Sequence, residues 1–220
     1  MVEYINHTNV RVMFTGTGMT TITTSQHIIN GTVVNPECLT VAGVAKRARL
    51  PKGVEEGERI RRAWWRMFRR VMKNEHYKGV KIAEDWYTFE NFLNWALLEP
   101  FSSQDGYDLD KDILSGEEKI YGPETCCFIP SSLNKQLINF DKCPNYRQGG
   151  KQSWWLDYKD PMTDKRTYTK VSTEEEAIQL SQKLKAERIR FAAEKYRGEI
   201  AERAYQALIL KASMLIKEKK

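Results

Sequence analysis

Asp108, Asp110, Lys111 and Asp112 fall together in the run YDLDKDIL, at the head of a segment from Tyr107 to Asn134 that also carries a Tyr-Gly-Pro-Glu-Thr-Cys turn. Leu109, Lys111 and Ile113 alternate with the aspartates, so an extended strand would put Asp108, Asp110 and Asp112 on one face. Three like charges side by side are tolerated where a cation or solvent accepts them. Two chemistries fit this spacing. One is a divalent-metal centre acting on phosphodiesters, with the aspartates as ligands; the other is an exposed acidic hairpin that holds no ion.

The distribution of charge bears on that choice. The chain has 220 residues and a formal net charge of +6. Lys46 to Lys73 holds eleven basic residues against three acidic ones, a surplus of eight. Asn74 to Thr125 reverses this, with twelve carboxylates against four lysines, and Cys126 to Lys220 returns to a surplus of seven positive charges. Basic flanks around an acidic block suit a protein that grips phosphates while carboxylates hold metal ions. They also suit solvated faces of opposite sign.

Composition narrows the class. Six tryptophans, ten tyrosines and eight phenylalanines exclude a disordered chain and supply real cores. No apolar run approaches the roughly 20 residues of a membrane span, and MVEYINHTNVRV lacks the pattern of a signal peptide. A soluble, intracellular protein is therefore expected. Cys38, Cys126, Cys127 and Cys143 show no CxxC spacing, so reduced structural thiols are expected over zinc.

The fold class expected is α+β in three segments: residues 1–50 β-rich, 51–144 central, 145–220 a small sheet with long helices. In the first, VRVMF and MTTITT flank Thr-Gly-Thr-Gly and read as a hairpin, with further short strands at His27 to Ile29 and Cys38 to Val41 and turns at Asn30-Gly31 and Asn35-Pro36. The second opens with a helix over Glu56 to Asn74. Ile60, Trp64, Met67, Phe68 and Val71 share its apolar side, while Arg59, Arg62, Arg66, Arg69, Arg70 and Lys73 populate the rest and point to DNA or RNA contact. A short strand near Val80 and Ile82, then a helix from about Thr88, follow, with Trp86, Phe89, Phe92 and Trp95 as core. Ser115-Gly116 marks a turn between two strands.

The ordered run from Trp64 through Trp86, Phe89, Phe92 and Trp95 into LDKDIL, YGPETCCFIP and Asn134 resembles the central region of phage-encoded HNH-type, homing-endonuclease-like proteins. The match covers Arg59 to Asn134. It implies a central ββα unit and a metal-dependent DNA endonuclease or nickase using Mg2+ or Mn2+, in the cytoplasm of an infected bacterial host. By that resemblance Asp110, Lys111 and Asn134 are catalytic candidates, with Asp110 and Asn134 as metal ligands; the spacing adds Asp108 and Asp112 as metal candidates. One departure matters: the family keeps a histidine as general base where Lys111 follows Asp110. Lysine is a poor base unless burial lowers its pKa, although it suits a phosphate or a developing charge. No histidine falls in the motif, and His76 lies in a connection before it. The competing reading is therefore a DNA-binding regulator of the same descent that does not cut.

In the third segment, Asn145 to Gly150 reads as a flexible joint, followed by strands over Ser153 to Tyr158 and Arg166 to Val171. Ser172 with Glu175 suggests a capping box opening a helix. This order resembles the sheet-plus-helix DNA-binding domain of plant ethylene-response factors, with a thinner glycine pattern and two expected strands. The resemblance implies double-stranded DNA as partner and Trp155, Tyr158, Lys159, Arg166, Tyr168 and Lys170 as contacts, subject to which face each occupies. Helices over Glu174 to Tyr196 and Glu199 to Lys217, broken at Arg197-Gly198, carry Ala177, Leu180, Leu184, Ile189, Ala204, Leu208 and Leu215. Packing on the sheet and a homodimer interface are both open to them.

Overall fold

A computed structural model describes residues 2–35, 44–45, 56–116, 118–141, 145–149, 153–160 and 165–217. The chain is α+β and divides into two compact units, Met1–Asn94 and Trp95–Lys220, the division falling inside a helix.

Unit 1 begins with a three-stranded antiparallel meander, β1 (Glu3–Asn6), β2 (Asn9–Met13) and β3 (Thr20–Thr23). The expected β2–β3 hairpin is present, closed by Gly18 at φ +71°. His27 to Ile29, expected as a strand, instead belongs to the short helix α1 (Ser25–Ile29). The reason is a cap: the Thr24 side chain accepts a hydrogen bond from the His27 amide at 3.2 Å, which satisfies a first-turn donor and commits the chain to helix. Cys38 to Val41 lies outside the described residues.

The helix α2 (Gly57–Lys73) buries Ile60, Trp64, Met67 and Phe68, at the three- and four-residue spacing of a single face. After a 3-10 turn (Glu75–Tyr77) come β4 (Lys81–Ile82), a second such turn (Glu84–Tyr87) and α3 (Phe89–Leu98). The Trp64 ring meets Phe68 and Phe89 edge-on with centroids 5.0 and 5.3 Å apart, and Trp86 meets Phe92 at 4.8 Å. Each such pair adds about 1 kcal/mol beyond the area it buries. The Trp64 indole N–H also donates to the Trp86 carbonyl at 2.7 Å, so the largest side chain of this core leaves no donor unmatched.

Unit 2 carries β5 (Tyr107–Asp110), β6 (Ile120–Tyr121), β7 (Cys127–Pro130) and α4 (Ser131–Asp141). β5 pairs antiparallel with β7, and α4 follows directly, which makes a ββα arrangement. A second meander, β8 (Asn145–Gln148), β9 (Trp154–Lys159) and β10 (Arg166–Val171), has β9 at its centre. Asn145 to Gln148 is therefore a strand and not a joint, and the sheet has three strands. α5 (Glu174–Lys195) and α6 (Glu202–Lys217) complete the unit. They turn over at Gly198, whose φ of +87° few other residues adopt. Ile189, Ala192, Ala193, Ala204, Leu208 and Ala212 close their seam and meet Ile129 and Leu133 of the ββα arrangement in one core. No helix among the described residues is long and apolar enough to cross a membrane.

α5 starts at Glu174 as expected, but its capping box lies one residue later than Ser172 and Glu175. Thr173 accepts from the Glu176 amide while the Glu176 carboxylate accepts from the amides of Thr173 and Ser172, so the capping box is Thr173 and Glu176. Thr173→Ala should lower stability by about 1 kcal/mol in chemical denaturation, with Ser172→Ala much milder.

Candidate functional site

The strand β5 ends at Asp110, and that fixes how its acidic run is used. Asp108 and Asp110, two apart on β5, share a face, whereas Asp112 lies in the turn beyond the strand. The three aspartates therefore do not line up on one strand. Asp110 is only 7 % exposed, and its Oδ1 accepts from the amides of Asp112 and Ile113, both at 3.0 Å. An aspartate used this way caps the turn that leaves the strand. Burial pushes its pKa up to about 6, against the opposing pull of the two amides.

Lys111 is as deeply buried, 7 % exposed, and its ammonium ion-pairs with the outward-lying carboxylate of Asp112. It also stands 5.8 Å from the centroid of the Tyr121 ring, a distance at which a cation is attracted to the aromatic face. Asn134 is half-buried on the first turn of α4. Among the described residues no hydrogen bond joins it to Asp108, Asp110 or Asp112.

Part of this donor set is already engaged within the chain. One oxygen of Asp110 is occupied by two amides, one of Asp112 by an ammonium, and the ammonium itself brings positive charge to the place where an ion would bring it. Among the described residues, no three His, Cys, Asp or Glu side chains gather within reach of one ion. His7, His27 and His76 are all exposed residues of unit 1.

The Tyr-Gly-Pro-Glu-Thr-Cys turn has a mechanical role that its sequence does not advertise. Thr125 Oγ1 donates to the carbonyl of Ile120 at 2.8 Å, closing the turn on itself. Arg203 of α6 then clamps it, donating to the carbonyls of Pro123 (3.3 Å) and Cys126 (2.7 Å) while pairing with Glu99 at 2.7 Å. Tyr196 at the end of α5 donates to Ser132 at 2.9 Å, fastening the start of α4. Cys126 and Cys127 are free and buried, and burial pushes the Cys126 thiol up to about 12 and the Cys127 thiol up as well, so both are protonated. Cys38 and Cys143 lie outside the described residues.

The second set of expected residues lies on the C-terminal sheet, and register sorts its faces. Arg166, Tyr168 and Lys170 are exposed and alternate with the half-buried Thr167, Thr169 and Val171. Lys159 stands opposite Arg166, Asp157 opposite Tyr168 and Trp155 opposite Lys170. Tyr158 is paired with Thr167 on the other face, where Arg188 of α5 lies 5.9 Å from its ring, so it does not join the exposed set. Arg147, which the sequence placed in a joint, is exposed on β8 opposite Trp155. A row of Arg147, Trp155 and Lys170 thus crosses all three strands, with the Lys170 ammonium 5.8 Å from the indole centroid.

Trp155 is 36 % exposed and lies across Gly149, where a Cβ would fall 2.0 Å from its ring. Only glycine leaves that place for the indole. Arg166 is bound to Asp157, Nε to Oδ1 at 2.8 Å, and that hydrogen bond holds the Asp157 carboxyl below its ordinary range. On α2, Arg62, Arg66, Arg69 and Lys73 are exposed, whereas Arg59 and Arg70 are half-buried.

Comparison of the chain with protein-family models, with curated proteins and with solved structures gave no match in any of the three. The resemblances therefore rest on the quoted motifs alone.

The folded state holds a proton on Asp110 up to about pH 6, whereas an unfolded aspartate releases it near 4. Stability contributed by this group is accordingly full below about pH 4 and is lost as pH rises through about 6. Asp110→Asn keeps the accepting oxygen, so it should flatten this part of the stability profile and gain up to about 3 kcal/mol at neutral pH. Denaturant titrations at pH 4, 5, 6 and 7 check it.

Proposed function

We propose that the chain binds double-stranded DNA through the exposed face of its C-terminal sheet, and that its nuclease-like hairpin is a rigid support that does not cut. The observation that carries the reading is the row of Arg147, Trp155 and Lys170. A planar indole held against Gly149, with a cation on the strand at either side, offers apolar contact to bases and charge to phosphates on one face. Strands of a β-ribbon can enter a major groove, where arginine is the commonest reader of guanine edges.

What favours binding without cleavage is Lys111. In an HNH-type centre a histidine takes a proton from water and a metal ion stabilises the leaving oxygen. A lysine whose ammonium is ion-paired and buried is not free to take a proton from water, and one oxygen each of Asp110 and Asp112 is already engaged beside it. The endonuclease reading keeps one observation on its side, the β5–β7–α4 arrangement with Asp108 and Asp110 on a common face. For a phage-type protein of either kind, the place of action is the cytoplasm of the infected cell.

Trp155→Ala and Arg147→Gln should each weaken binding to a selected duplex by about 10- to 100-fold, read by fluorescence anisotropy. Supercoiled plasmid incubated with the wild-type chain and Mg2+ or Mn2+ should remain intact. Nicking that disappears in Asp110→Ala would establish the endonuclease reading instead, and absence of duplex binding at low salt would discard both.

A further inference from the structure

We infer that α2 is a phosphate rail, a second duplex-DNA surface that adds affinity without reading sequence. The inference rests on the DNA-binding reading above and extends it to unit 1. Of the cations on this helix, Arg62, Arg66, Arg69 and Lys73 are exposed and recur at intervals of four, three and four residues, which lays them along one stripe. At a rise of 1.5 Å per residue the stripe runs about 16 Å. The Cβ atoms of neighbours on such a stripe stand about 5 to 6 Å apart, a spacing from which long cationic side chains can reach successive phosphates of one strand.

The stripe is not neutralised from within the helix. Glu58 is the acidic residue of α2, and it pairs with Arg61 at 2.6 Å, off the stripe. Arg62, Arg66 and Lys73 have no ion-pair partner among the described residues. Arg69 lies 5.2 Å from the ring of Trp65, itself 43 % exposed, and that contact restrains a guanidinium that would otherwise sweep through many rotamers. A partly ordered cation loses less entropy on meeting a phosphate.

The occupant follows from charge and from what the opposite face is doing. A basic amphipathic helix that docks on lipid needs its apolar side for the membrane. Here Ile60, Trp64, Met67 and Phe68 are at most 1 % exposed, committed to the core of unit 1. What remains is a cationic stripe with one exposed tryptophan in it, which complements a regular polyanion. Apart from Arg69 on Trp65, no contact among the described residues fixes these side chains as reading a base edge requires, so the rail grips the backbone and leaves sequence to the sheet.

The test is the salt dependence of duplex binding by the full chain. Replacing Arg62, Arg66, Arg69 and Lys73 together by glutamine should lower the slope of log affinity against log salt by about 3.6 if all four meet phosphates, and Arg66→Gln alone by about 0.9. Between 50 and 200 mM salt the wild type should then lose on the order of 100-fold more affinity than the fourfold variant. The lysine-substituted triple variant Arg62→Lys, Arg66→Lys, Arg69→Lys should keep the slope, and preference for one duplex sequence over another should be unchanged throughout. A full slope in the folded fourfold variant and in Arg66→Gln would overturn the rail; if Arg147→Gln still weakened binding, the sheet reading would stand without it. A larger slope change on RNA than on duplex DNA, or a shift in sequence preference, would also overturn it.

Discussion

A lysine withdrawn from water needs its charge balanced nearby, and Lys111 meets that need at the point where β5 gives way to a turn. Asp112 supplies the counter-charge from the rim, where solvent still reaches it, and Tyr121 supplies an aromatic face. Asp110 is held beside them by two backbone amides. Removing one member of such a set costs more than forming it gains, because a partner is then left desolvated and alone. The way β5 passes into its turn is set by this constraint.

The rest of unit 2 holds that hairpin still. Arg203 reaches from α6 to two carbonyls of the turn and to Glu99, and Tyr196 reaches from α5 to the start of α4. Ile129 and Leu133 share one core with the α5–α6 seam. The two long helices thus serve the hairpin directly, and their small residues at Ala192, Ala193, Ala204 and Ala212 let the backbones come close enough to do so. That seam accounts for much of their apolar face by packing within the chain.

Much of the fold was legible because its cause is periodic. The α2 stripe, the β2–β3 hairpin, α3, α5 and the break at Gly198 all follow from spacing and turn residues. What escaped depended on single contacts between residues distant in sequence. His27 to Ile29 has strand-like residues, yet one threonine cap makes it a helix. Asn145 to Gln148 is polar enough to read as a joint and is a strand only because β9 pairs with it. That pairing also hid Arg147, which no local signal marks as a neighbour of Trp155. The residue types of the hairpin were plain, but their use was not: alternation predicted three aspartates on one face, and the strand ends before the third. The ion pair between adjacent Lys111 and Asp112 could have been anticipated; the burial of the lysine could not.

The claim on which the account turns is that the hairpin carries its own cation. Thermal unfolding of the intact chain, followed by circular dichroism in EDTA and then in increasing Mg2+ or Mn2+, tests it most directly. The account predicts the same midpoint in every case, because Lys111 already supplies the positive charge. A midpoint that climbs with Mn2+ concentration and falls back on chelation, as a ligand bound only by the folded state requires, would contradict it.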